Sequence, residues 1–143
     1  MLAGIIVGLG GLLAEKLTFN TQTSGAANDI EKSTKIARIM VTRFGMSDLG
    51  PIDYNVLEEH PYLGRDIQNP REFSEKTAER IDAEVEKIVK QCLQKGETML
   101  QENREKLDLL AKTLIEKEVL QAQEVYELLG LPPRESHKLS SDE

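Results

Sequence analysis

Apolar residues recur at helical spacing along most of the chain, and this pattern predicts helices. Residues 1–14 carry no charged side chain and are interpreted as a buried first helix. They are too few to span a membrane, which takes roughly 20 apolar residues. After a break near 20–25, a second helix is expected to start at a Ser24 cap and to end at Gly45. Its apolar face would comprise Ile30, Ala37, Met40, Val41 and Phe44.

The region after Ser74 has the most regular pattern. Ser74 can cap a helix, and apolar residues then follow at the spacing of a helix that packs against a second helix: Ala78, Ile81, Val85, Ile88 and Cys92. A stripe formed by Leu107, Leu110 and Leu114 predicts the next helix.

The glycine- and proline-rich stretch at 45–72 separates these helical regions. We therefore predict an all-α fold, a bundle of about four to five helices with an irregular connecting segment at 45–72. Residues 1–130 would form the folded portion, and the polar residues 131–143 would form a disordered tail.

Composition narrows the function classes. The chain has 143 residues with a net charge of −7, which argues against a nucleic-acid binder with a basic face. Its single cysteine excludes an internal disulfide and fits a reducing compartment. The sequence contains no HExxH and no phosphate-binding GxxxxGK[ST] string.

Asp29 is the most informative candidate for a chemical role. An acid in the first turn of a helix is commonly there because it favours the positive end of the helix dipole. The same carboxylate, lying next to an apolar stripe, is also suited to bind a metal ion. The residues alone leave both interpretations open. Glu15, at the end of the apolar first helix, is by itself uninformative, and His60 lies in the connecting segment.

Several short strings occur in the order found in one protein family: Gly10-Gly11-Leu12-Leu13-Ala14-Glu15, Thr23-Ser24-Gly25-Ala26-Ala27-Asn28-Asp29-Ile30 and Phe44-Gly45-Met46-Ser47. They resemble the peptidase domain of FtsH, the membrane-anchored ATP-dependent zinc metalloprotease of bacteria, mitochondria and chloroplasts. The resemblance extends over nearly the whole chain, to about Leu129. One departure is Leu12, where the family has an arginine.

The resemblance implies a zinc site to which this chain contributes one ligand. In FtsH the zinc is held by two histidines of an HExxH helix and by a downstream aspartate, which corresponds to Asp29 here. The glutamate of HExxH activates the metal-bound water. Glu15 and Asn28 would lie near the site. Zinc is expected only in a completed site, and ATP is implied for the family but not for this chain.

The HExxH helix and the ATPase of the family would lie upstream of this chain. The chain is therefore expected to be the carboxy-terminal part of a metallopeptidase that degrades membrane and soluble proteins, inactive alone. The partners implied are protein substrates and either further copies of the chain or FtsH-type subunits. The implied location is the cytoplasm or the inner face of a membrane, including an organellar matrix or stroma, without a membrane span in this chain.

The alternative is a non-catalytic helical module that associates with FtsH-type hexamers. Without the upstream part of the domain, the apolar first helix would also lack its cover. Exposure of Ile5, Ile6 and Leu9 would then cause self-association.

Overall fold

The computed structural model describes residues 1–21, 23–54 and 73–132 of the chain. Within these ranges it contains helices and no strands, which confirms the all-α class. The elements are α1 (Leu2–Gly8), α2 (Gly10–Phe19), a 3-10 turn (Ser24–Ala26), α3 (Ala27–Thr42), α4 (Glu75–Glu102), α5 (Arg104–Lys117) and α6 (Ala122–Leu129). The chain divides into two compact units, Met1–Leu100 and Gln101–Glu143.

The described ranges hold six α-helices rather than four to five, partly because the apolar amino-terminal stretch is bent at Leu9. The axes of α1 and α2 differ by 43°. The Leu9 N–H still donates to Ile5 O at 3.0 Å, and the Leu13 N–H to Leu9 O at 3.0 Å. Glycines flank the bend at Gly8 and Gly10, and glycine is a poor helix former that permits such kinks.

The predicted break near 20–25 is confirmed, but its cap is not Ser24. The α2 helix ends at Phe19 and is followed by Asn20, which takes a left-handed conformation with φ of 52°. Thr23 then precedes the 3-10 turn in an extended conformation, and its hydroxyl accepts the Gly25 N–H at 3.4 Å. Ser24 is already inside the turn. Thr23 is the cap because the residue before the first turn, and not one within it, has the extended backbone that capping needs.

The core of the first unit is formed by one face from each of α1, α2, α3 and α4. Its buried apolar residues are Ile5, Leu9, Leu13, Ala37, Met40, Val41, Ile81, Val85, Ile88 and Cys92. This confirms four of the five positions predicted for the apolar face of α4, whereas Ala78 is only half-buried. The burial of Ile5 and Leu9 in this core confirms that the amino-terminal apolar stretch is buried. The expectation that these residues would be exposed without the upstream part of the domain is wrong.

The predicted apolar face of α3 is only partly correct. Ala37, Met40 and Val41 are buried, whereas Ile30 and Phe44 are 43% and 51% exposed. These two residues lie near the start of the helix and just beyond its end. Ser33, a polar residue, is 2% exposed instead.

The stretch after α3 is irregular, as predicted, over its described part from 45 to 54. Gly45 has a φ of 59°, in the left-handed region as expected, although α3 itself ends earlier, at Thr42. The Tyr54 N–H donates to Thr42 O at 2.8 Å, so the chain returns to the end of the helix. The Tyr54 ring meets Phe73 edge to face with centroids 6.0 Å apart. Residues 55–72 lie outside the described residues.

In the second unit, α5 and α6 have no buried residues within the described ranges. The predicted stripe on α5 is half-buried at Leu107 and Leu110 and exposed at Leu114. The predicted tail lies outside the described residues from 133 onward. Gly130 ends α6 in a left-handed conformation.

No single helix of the described residues is long and apolar enough to cross a membrane. The bent pair formed by α1 and α2 passes that test jointly, by length and composition alone.

Candidate metal ligand and its supporting turn

Asp29 lies in the first turn of α3, where its side chain is half-buried. The helix begins here because the chain enters through the Ser24–Ala26 turn, whose Ala26 is buried. The Ala27 N–H donates to Ser24 O, which joins the turn to the helix. Among the described residues, the Asp29 carboxylate has no hydrogen-bond or ion-pair partner.

Glu15 is tied to the turn that leads to Asp29. Its Oε2 accepts the backbone N–H of Thr23 at 3.3 Å. Thr23 in turn accepts the Gly25 N–H through its own hydroxyl. The structure thus connects two residues predicted to be near one site, Glu15 and Asp29, through the backbone of the turn.

The described residues do not assemble a complete metal site. Across 1–21, 23–54 and 73–132, no three His, Cys, Asp or Glu side chains come close enough together to hold a metal ion. Asn28, the third residue expected near the site, is exposed on α3. His60 and His137 lie outside the described residues. A carboxylate such as that of Asp29 is a suitable ligand for one position of a zinc site, which takes three protein ligands in a peptidase.

Ion pairs hold α3 and the segment after it against α4. Arg38 of α3 donates to Asp82 of α4 at 2.8 Å. Lys87 pairs with Asp48, and Glu84 accepts the Asp48 N–H at 3.3 Å. The hydrogen bond to Asp48 is the main cause that raises the pKa of Lys87 above its ordinary value. Of these contacts, the Arg38–Asp82 pair joins α3 to α4, and the others join the segment after α3 to α4.

Cys92 behaves as a buried apolar side chain, as the sequence suggests. It is 3% exposed, and its Sγ lies 3.9 Å from Leu2 O. Burial raises the pKa of this thiol, which keeps it protonated and poorly nucleophilic.

A cavity of about 520 Å³ opens beside the start of α1, away from Asp29. It is mainly apolar and is lined by Met1, Leu2, Ala3, Met40, Met46, Ile88 and Gln91. None of these described side chains is acidic or a histidine.

Sequence reasoning missed the part played by Thr23. A threonine is a common cap, and its place one residue before Ser24 was the available signal. The hydrogen bond from its N–H to Glu15 had no signal in the sequence, because it joins residues eight positions apart across a reversal of the chain.

Comparison with known proteins yields a family match and close relatives. The sequence profile of Peptidase family M41 matches residues 1–128. The chain is 45% identical over 133 residues to the ATP-dependent zinc metalloprotease FtsH of Nitrosococcus oceani, a match that covers 90% of the chain and 21% of that relative. It is 48% identical over 131 residues to FtsH of Pelodictyon phaeoclathratiforme, covering 91% of the chain and 20% of the relative.

A third relative, FtsH of Bacillus subtilis, is 40% identical over 141 residues, which covers 96% of the chain and 22% of the relative. The chain therefore spans about a fifth of the length of the curated relatives it matches. These matches cover nearly all of the chain, and the family match includes the turn that carries Asp29. The chain belongs to Peptidase family M41, the family of the FtsH zinc metalloproteases.

Proposed function

We propose that this chain is the carboxy-terminal helical part of an FtsH-type zinc metallopeptidase and supplies its third zinc ligand, Asp29. Family membership over residues 1–128 carries the proposal. The half-buried Asp29 carboxylate, with no protein partner among the described residues, supports it.

The chemistry requires more than this chain contributes. A bound zinc ion would polarise the scissile carbonyl and acidify the attacking water. Asp29 would hold one position of the metal, and its negative charge would offset part of the charge of the ion. Two histidines and the general base of an HExxH helix would come from elsewhere in the assembly. The chain alone is therefore expected to be inactive.

The wider function follows from the same proposal. The completed enzyme would use ATP to drive degradation of membrane and soluble proteins. Its subunits would assemble as oligomers, in the cytoplasm or at the inner face of a membrane, including an organellar matrix or stroma. ATP would be bound by the ATPase part and not by this chain.

A chimera tests the proposal directly. The matched region of the Nitrosococcus oceani relative is replaced by this chain, and casein degradation is measured with zinc and ATP. The chimera should be active, and Asp29→Ala should lower its activity at least about 100-fold, since even residues behind the ligands matter by 10- to 100-fold. Zinc content by mass spectrometry should fall in parallel.

The matched control is Glu31→Ala, which removes another acid from the same helix at an exposed position. It should leave activity and zinc content unchanged. A chimera with full activity after Asp29→Ala would rule the proposal out. Zinc-dependent casein degradation by the isolated chain that Asp29→Ala abolishes would overturn only the expectation that the chain alone is inactive.

A second candidate function is a non-catalytic module that docks onto FtsH-type hexamers. It is favoured by the apolar side chains that α5 and the residues after it expose, with Ile115 81% and Val119 66% exposed. A contiguous exposed apolar patch marks an association site, and in this second proposal these residues belong to such a patch. Co-migration with FtsH of Bacillus subtilis in gel filtration would support it. Ile115→Asp should abolish the co-migration, whereas Val7→Asp, at an apolar residue of α1 that is 79% exposed, is the control and should not. Failure to co-migrate would count against it.

A further inference from the structure

Glu15 occupies a position from which it can hold the start of α3. It lies one helical turn before the end of α2, and the left-handed Asn20 reverses the chain directly after that helix. This reversal brings the backbone of Thr23 back over α2. The Glu15 Oε2 then accepts the Thr23 N–H at 3.3 Å.

Two further hydrogen bonds link Thr23 to the start of α3, the helix that carries Asp29. The Thr23 hydroxyl accepts the Gly25 N–H at 3.4 Å, and the Ala27 N–H donates to Ser24 O. Asp29 follows two residues later in the first turn of α3. The residues between Thr23 and Asp29 therefore lie in the capped turn or in the helix, and Glu15 contacts the residue that caps that turn.

We propose that Glu15 is a positioning residue that anchors the turn carrying Asp29, and that it does so by hydrogen bonding and not as a metal ligand. The metal part of this statement rests on the proposed function. The anchoring itself rests only on the Glu15–Thr23 contact. A carboxylate acceptor is well suited to the task, because hydrogen bonds to a charged group are stronger than those between neutral groups.

The amide hydrogen exchange of the isolated full chain tests the anchoring without metal. In Glu15→Ala, the Thr23 amide should exchange about tenfold faster, the change expected for loss of a charged hydrogen bond worth about 1.4 kcal/mol. The Gly25 amide should follow. Glu15→Gln keeps an oxygen acceptor and should restore most of the protection.

Two controls separate this effect from general destabilisation. Lys16→Ala changes the neighbouring exposed side chain of α2 and should leave Thr23 exchange unaltered. The amides of the buried residues Ala37 and Val41 in the middle of α3 report on global opening and should also stay unaltered. Thr23→Ala removes the hydroxyl that accepts the Gly25 N–H, so the Gly25 amide should exchange faster. The backbone amide at position 23 can still donate to Glu15 and should stay protected.

Two measurements show whether the loss of Glu15 affects Asp29. They are the NMR scalar couplings that report the χ1 angle of Asp29 and the zinc affinity of the chimera. Glu15→Ala should broaden the χ1 populations and weaken zinc binding, by chelator competition, about 10- to 100-fold, as for other residues behind a metal ligand. Glu15→Gln should stay within about threefold of the unaltered chimera.

The outcomes distinguish the two proposals. Unaltered Thr23 exchange in Glu15→Ala, or equal acceleration in Glu15→Ala and Glu15→Gln, would overturn the anchoring by Glu15. Faster exchange with restored protection in Glu15→Gln would establish it, even if Asp29→Ala left zinc content unchanged and so removed the proposed function.

Discussion

Gly8 packs directly against Ser33, where α1 meets α3. A Cβ on Gly8 would lie 3.1 Å from the Ser33 Oγ, whereas Gly4, one turn earlier, has open space around it. The Gly4–Gly8 pair therefore has a close-packing role at only one of its two positions. Ser33 is almost completely buried because a glycine backbone, not a larger side chain, faces it.

Valine at these two positions should affect stability differently. We expect Gly8→Val to lower the free energy of unfolding by about 1–3 kcal/mol, because the added atoms crowd the buried Ser33. Gly4→Val is the matched control and should be near neutral. Urea denaturation followed by circular dichroism measures both values, and equal values would contradict the close approach of α1 and α3.

Gly96 and Leu13 should be energetically coupled. A Cβ on Gly96 would lie 2.6 Å from the Leu13 Cδ1, and Leu13 is buried. Gly96→Ala should therefore destabilise by about 1–2 kcal/mol, in spite of the better helix propensity of alanine. In Leu13→Ala the space is free, so the double variant should cost at least about 1 kcal/mol less than the sum of the two single changes. Additive costs in a double-mutant cycle would exclude this contact.

Gly45 should not tolerate a side chain. Its φ of 59° is strained for other residues, and a Cβ would lie 2.6 Å from the Pro51 Cα and 3.0 Å from Gly50 O. Gly45→Ala should destabilise by about 2 kcal/mol or more. Gly50 has a φ of 84° but open space around it, so Gly50→Ala measures the backbone strain alone. This variant should lower the free energy of unfolding by about 1 kcal/mol. Thermal unfolding measures the loss of stability in both variants. A loss in Gly45→Ala no larger than that in Gly50→Ala would contradict the close contact of Gly45 with Gly50 and Pro51.

The start of α6 should weaken in acid. The Gln121 N–H donates to Glu124 Oε2 at 2.8 Å, and Lys117 pairs with Oε1 of the same carboxylate at 2.9 Å. These contacts, the backbone hydrogen bond first, lower the pKa of Glu124 from its ordinary value. Because the folded form binds the proton less readily, the contribution to helix stability is complete above the ordinary glutamate pKa. It is lost as the pH falls through the lowered pKa.

A pH titration by NMR checks this expectation. The Glu124 carboxyl signal should titrate below the ordinary glutamate range, and the Gln121 amide signal should move with it. Glu124→Gln removes the charge and should abolish that shift of the amide. Titration of Glu124 within the ordinary range would contradict the described cap.

Much of the local structure was predictable from the sequence. The spacing of Ile81, Val85, Ile88 and Cys92 specifies one face of a helix, and all four residues are buried. The break before α3 and the left-handed Gly45 were likewise predictable, because caps and turns depend on a few neighbouring residues. The family resemblance was readable from ordered motifs, and the family match confirms it. The role of Asp29 stays a prediction.

Other features depend on which helices meet, and no local pattern contains that information. The sequence by itself determined the helical class, most of the core-facing positions and the motif that contains Asp29. Only the tertiary structure decided that Ser33 is buried against Gly8, that Ile30 and Phe44 stay exposed, and that Glu15 reaches the Thr23 amide. The physical reason is that periodicity defines a face of one helix, whereas burial and hydrogen bonding at each position depend on the neighbour that packs there.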